Sequence, residues 1–151
     1  MLAHELLTPS NILCDLEGSS KKRILETVSE LISEQHPELD PSSVFNGLRG
    51  REKLGSTGIG NGVAIPHCRL ADCESAKGYL IKLNAPVDFD AIDNQPVDLL
   101  FVLVVPEDAC TEHLETLASV AELFSQSAVR NALRQAESST ILFETINRLS
   151  I

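Results

Sequence analysis

Apolar residues fall along this chain in two rhythms: a spacing of three to four that belongs to helices, and short dense runs that belong to covered strands. Ile12-Leu13-Cys14-Asp15-Leu16, closed by Gly18, predicts a first strand. Ser19 or Ser20 can cap the helix after it, in which Ile24, Val28, Leu31 and Ile32 line one face until Pro37 ends the run. Asp40-Pro41 is a second helix start, with Asp40 as N-cap and Pro41 where a missing N–H costs nothing. Val44, Phe45 and Leu48 supply the buried face of this helix, and Gly55 is its latest stop.

Gly55 to Gly62 holds four glycines in eight residues and reads as a loop that delivers a short strand, Val63-Ala64-Ile65, ending at Pro66-His67. Ala76 to Leu83 and Leu99 to Val105 predict further strands, the second a nearly unbroken apolar run of the kind buried on both faces. Thr111 can cap a helix whose stripe is Leu114, Leu117, Ala118, Ala121 and Phe124. Val129 and Leu133 suggest a short helix, and Ser138 or Ser139 opens a last one that buries Leu142, Ile146 and Leu149. The expected fold class is therefore α/β, one domain over residues 1–151, with helices on both sides of a sheet.

Twelve basic residues against twenty-two acidic ones give a formal charge of -10, which opposes nucleic-acid binding and suits a basic protein partner. No stretch approaches a membrane span, and Met1 to Ser10 lacks the charged and apolar regions of a leader, so a cytoplasmic protein is expected. Cys14, Cys68, Cys73 and Cys110 form no CxxC pair and read as free thiols in a reducing compartment.

Few of the chemical motifs on offer survive inspection. Gly58-x-Gly60-x-Gly62 lacks the GxGxxG register and leads into no helix, and no Gly-Lys-Ser or Gly-Lys-Thr follows it, so nucleotide loops are improbable. Gly55-Ser56 does not fit a hydrolase elbow. A metal site drawn from His67, Cys68, Cys73 and His113 matches no structural zinc spacing, and no cofactor or metal is expected. What remains is His67, held behind Pro66, with Arg51, Ser56, Thr57 and glycine backbone upstream: a fork-shaped cation, two hydroxyls and amides, the donor types that surround a phosphoryl group. His113, in the first turn of its helix, is a second histidine that the helix dipole keeps neutral and able to donate; equally, it can be read as the edge of the apolar stripe.

The string Arg51-Glu52-Lys53-Leu54-Gly55-Ser56-Thr57-Gly58-Ile59-Gly60-Asn61-Gly62-Val63-Ala64-Ile65-Pro66-His67 resembles enzyme IIA of the bacterial phosphoenolpyruvate-dependent phosphotransferase system, fructose/mannitol class, and most of all its nitrogen-related branch, the PtsN family. Phe89-Asp90-Ala91-Ile92-Asp93-Asn94-Gln95-Pro96-Val97-Asp98-Leu99-Leu100-Phe101 and the His113-Leu114-x-x-Leu117 helix start agree with it. The resemblance implies a mixed sheet between helices and phosphorylation of His67 at Nε2, with Arg51 and His113 beside the ring. It further implies an HPr-like phosphocarrier as donor, itself charged from phosphoenolpyruvate through an enzyme I homologue, and a regulatory output through target proteins that the sequence does not name. The alternative is a sugar-specific IIA that passes the phosphate to a IIB domain. Where the family often has glycine after the active histidine this chain has Cys68, which raises the question of redox sensitivity.

Overall fold

The computed structural model describes residues 3–109 and 111–149. After two short 3-10 turns, at Ala3–Leu6 and Pro9–Asn11, come β1 (Ile12–Leu16), α1 (Lys21–Gln35), α2 (Pro41–Lys53), β2 (Gly58–Gly60), β3 (Val63–Ala64), β4 (His67–Leu70), β5 (Lys77–Val87), β6 (Val97–Pro106), α3 (Thr111–Ser125), α4 (Ser127–Gln135) and α5 (Ser139–Leu149). Local chemistry sets several of these boundaries. Ser20, Asp40 and Ser138 each accept the backbone N–H three residues on, at 3.2, 3.2 and 3.1 Å, relieving an amide that its helix leaves unpaired.

The sheet runs β1-β5-β6-β3-β2, with β4 also on β6. It is mixed: β1 is parallel to β5, β3 and β4 are parallel to β6, and β5 with β6 and β2 with β3 are antiparallel. Alternation along β6 builds both cores. Leu100, Val102 and Val104 pack with Ile24, Val28 and Ile32 of α1 and Val44 and Leu48 of α2. Leu99, Phe101, Leu103 and Val105 face Val120 and Phe124 of α3, Leu133 of α4, and Leu142 and Ile146 of α5. A strand buried on both faces has no polar side to present, which is why its sequence is an unbroken apolar run.

Four expectations change. The glycine loop contains a strand, β2, that its composition hides. The strand expected to end at His67 is interrupted instead: β3 pairs Val63 with Leu99 and Ala64 with Leu100, then β4 resumes in the same register with His67 opposite Leu103. Pro66, which has no N–H to give, sits in the gap and contributes its carbonyl, accepting from Leu103 N at 2.9 Å. Thr111 is the first residue of α3 rather than its cap, and the preceding position, Cys110, lies outside the described residues. The buried face of α3 is also rotated: His113, Thr116, Val120, Leu123 and Phe124 are buried, while Leu114 is 63% exposed. Among the described residues no helix is long and apolar enough to cross a membrane, and Cys14, Cys68 and Cys73 are free thiols.

Candidate functional site

His67 stands on the edge strand β4, half-buried, where the chain restarts after Pro66. Its Nδ1 lies 2.8 Å from the carbonyl oxygen of Ile65, which can only accept, so Nδ1 carries the hydrogen. Nε2 is therefore the bare nitrogen, and it accepts from Arg51 Nε at 3.2 Å. Burial lowers the pKa of His67 below 6.5; the hydrogen bond to Ile65 opposes this, and the Arg51 guanidinium adds to it. The ring is a neutral imidazole with its lone pair at Nε2.

Arg51 comes from the last turn of α2, and its Nη1 donates to Gly55 O at 2.8 Å, so the guanidinium spans the start of the glycine loop. His113 approaches from the first turn of α3, its ring centroid 5.5 Å from that of His67. It is 6% exposed, its Nδ1 is buried without a hydrogen-bond partner, and its pKa is lowered by burial first and then by the charges of His67 and Arg69. Three sequence-predicted residues, His67, Arg51 and His113, thus converge from β4, α2 and α3.

Ser56 and Thr57, the other two residues expected near the phosphoryl group, have their hydroxyls hydrogen-bonded within the protein. The Ser56 hydroxyl donates to Phe89 O at 2.6 Å and accepts from Gly58 N at 3.0 Å, and the Thr57 hydroxyl donates to the Glu52 carboxylate. Each hydroxyl has one hydrogen, and each is spent within the protein. The glycine loop is likewise pinned. Asn61 N donates to Asp93 Oδ2 at 2.9 Å, and Arg134 grips Asp98 through Nε and Nη2 while holding Asn61 O. Gly62, at φ +79, turns the chain at this clamp.

Two site residues were missed. Glu52, 9% exposed, receives Lys21 Nζ at 2.9 Å and the Thr57 N–H at 3.1 and 3.2 Å. A signal for it existed: Val44, Leu48 and Glu52 share one stripe of α2, and a carboxylate on an apolar stripe needs partners. Arg69, whose charge acts on both histidines, is two residues from His67 on the same strand, where alternation puts both on one face. Cys68 points the other way, into the α1/α2 core, and burial pushes its thiol up to about 12, which makes it a poor nucleophile and a poor redox sensor. Among the described residues no group of three or more His, Cys, Asp or Glu side chains is arranged to hold a metal.

The chemical meaning of such a site is sharpened by known proteins. A family described as the phosphoenolpyruvate-dependent sugar phosphotransferase system, EIIA 2, matches residues 5–149. The nitrogen regulatory protein of Pseudomonas aeruginosa is 49% identical over 142 residues, 94% of this chain and 92% of that protein. The crystal structure of nitrogen regulatory protein IIA-Ntr from Neisseria meningitidis superposes with a TM-score of 0.88 at 44% identity, covering 95% of this chain and 97% of that one. IIA mannitol from Escherichia coli shares the fold at a TM-score of 0.76 and 18% identity, over 93% of this chain and 98% of its own. The chain belongs to the EIIA 2 family of the phosphoenolpyruvate-dependent sugar phosphotransferase system, in the branch of its nitrogen regulatory proteins.

Proposed function

We propose that Nε2 of His67 accepts a phosphoryl group from an HPr-like phosphocarrier, and that phosphorylated and free forms are distinguished by regulatory target proteins. The single observation that carries the reading is the bare Nε2 of a neutral imidazole facing the Arg51 guanidinium. In the transfer, the Nε2 lone pair forms the new N–P bond while the donor's N–P bond breaks and its electron pair returns to the donor imidazole. One N–P bond replaces another, so the protein need only align the partners and stabilise a loose, metaphosphate-like transition state.

Arg51 occupies the Nε2 lone pair at rest and turns its N–H groups to the phosphoryl oxygens as they arrive, a short movement because Gly55 O still holds its other arm. In His113 the unpaired buried Nδ1 is best tolerated without a hydrogen, which puts the ring hydrogen on Nε2, free to donate to a phosphoryl oxygen. Leu114, next to His113, is 63% exposed and Leu54, three residues after Arg51, is 84% exposed, apolar area of the kind a protein partner covers. Two added negative charges at His67 alter the local field that a target reads. In this reading residues 1–151 act as one cytoplasmic domain.

The test is phosphoryl uptake from the phosphorylated carrier. His67→Ala abolishes it, and Arg51→Met slows it by more than about tenfold, the order expected for loss of a transition-state donor. Undiminished uptake by His67→Ala overturns the proposal. Onward transfer from the phosphorylated protein to a sugar-specific IIB domain selects the permease role instead of the regulatory one.

A further inference from the structure

We infer that Glu52 is a positioning residue that fixes the tautomer and orientation of His67 through Thr57 and Ile65. The contacts form an unbroken series. The buried Glu52 carboxylate takes both the N–H and the hydroxyl of Thr57. Thr57 O accepts from Ile65 N at 3.0 Å. Ile65 O then accepts from His67 Nδ1 at 2.8 Å. The Arg51 Nε–H at Nε2 favours the same tautomer from the other side of the ring, but only the Ile65 carbonyl binds the Nδ1 hydrogen itself. An unconstrained neutral imidazole favours the opposite tautomer, in which Nε2 is protonated and has no lone pair to attack phosphorus. The nucleophilic form of His67 depends on where the Ile65 carbonyl points, and Ile65 is held through its own N–H by Thr57 O.

Glu52 is suited to hold Thr57 still because it is itself held. Lys21 Nζ, at the start of α1, donates to Glu52 Oε2 at 2.9 Å and to Phe89 O at 3.3 Å, and Phe89 O is also where the Ser56 hydroxyl ends. One carboxylate therefore joins α1, α2, the glycine loop and the turn after β5. It is also the residue after Arg51, so the same turn of α2 presents the cation to Nε2 and anchors the path that keeps the hydrogen on Nδ1. A carboxylate close to a site for an anion is otherwise a cost, since its charge opposes the incoming phosphoryl group. Its burial behind the Thr57 backbone reconciles the two.

The inference rests on the proposed role of His67, but its main readout does not. Nitrogen chemical shifts of the imidazole, taken at a pH where the ring is neutral, report the tautomer directly. The unsubstituted protein gives a single Nδ1–H form, whereas Glu52→Gln gives a mixture weighted toward Nε2–H. Phosphoryl uptake slows on the order of tenfold or more while KM for the carrier is unchanged, because a misaligned nucleophile loses rate rather than binding. A folded Glu52→Gln that retains the pure Nδ1–H form overturns the inference. Should that variant not fold, Thr57→Val, which removes only the hydroxyl from the carboxylate, is read by the same signals: a mixed tautomer supports the inference and an unchanged one overturns it. If the unsubstituted protein takes up no phosphoryl group yet the tautomer shifts, the reading of the site fails and the positioning role stands.

Discussion

An imidazole that is to attack phosphorus must reach its partner unprotonated, and at His67 burial is the main cause, with the Arg51 charge in support. Because the pKa lies below 6.5, uptake stays level from mildly alkaline pH down through that value and is lost only at more acid pH. Arg51→Met removes a charge that disfavours the imidazolium, so its rate profile falls off at a higher pH; an NMR titration of His67 with its midpoint at or above 6.5 in the unsubstituted protein contradicts the account. Stability follows the same sign. His36, His67 and His113 all have folded pKa values below the ordinary 6.5, so the unfolded chain binds more protons as pH drops through that value. Their contribution is complete above about pH 6.5 and is lost as pH falls toward the folded values. At this scale sequence reading reached His67, Arg51 and His113, which the structure brings together, because such residues stand out by their donor chemistry. It did not reach Glu52, whose task is to accept, nor the commitments of Ser56 and Thr57, which depend on where Glu52 and Phe89 lie in space.

At the scale of elements, what could be read was what is written locally. The caps Ser20, Asp40 and Ser138 sit at helix starts because a side-chain oxygen and an amide three residues on are near neighbours in any helix. The phase of α3 was not legible for the opposite reason. Its buried face includes His113 and Thr116, which an apolar count omits, and Leu114, which the count includes, faces solvent. Glycines differ in the same way, and two of them give opposite predictions. Gly62→Ala forces a Cβ onto a residue at φ +79, into Arg134 and 2.9 Å from Asp98 Oδ1, so it destabilises by at least about 1 kcal/mol and loosens the clamp on Asn61. Gly50→Ala lies in helix α2 with nothing within 4 Å of the new Cβ, and stabilises by about 0.5–1 kcal/mol. Urea denaturation of the two variants measures both, and equal signs would refute the distinction.

For the whole molecule, the question is whether two helical layers on one sheet act as one unit. His67 and Arg51 sit on β4 and α2, whereas His113 comes from α3 on the other layer, so the site exists only while both layers are docked. β6 supplies alternate residues to each core, and a strand cannot surrender one face and keep its register on the other. Phe101→Ala empties a fully buried position in the α3–α5 core and costs about 3–5 kcal/mol. Tyr79, the one tyrosine in a chain without tryptophan, lies in the opposite core beside α1 and α2 and reports on that layer by its emission. If the layers are joined through β6, Phe101→Ala shifts the tyrosine transition and the far-ultraviolet circular dichroism transition together, to the same lower midpoint. A tyrosine transition that stays in place while helical signal is lost would mean that α1, α2 and the sheet stand alone. In that case His113 could leave His67 without unfolding the strand that carries it, and the two histidines would belong to separable units.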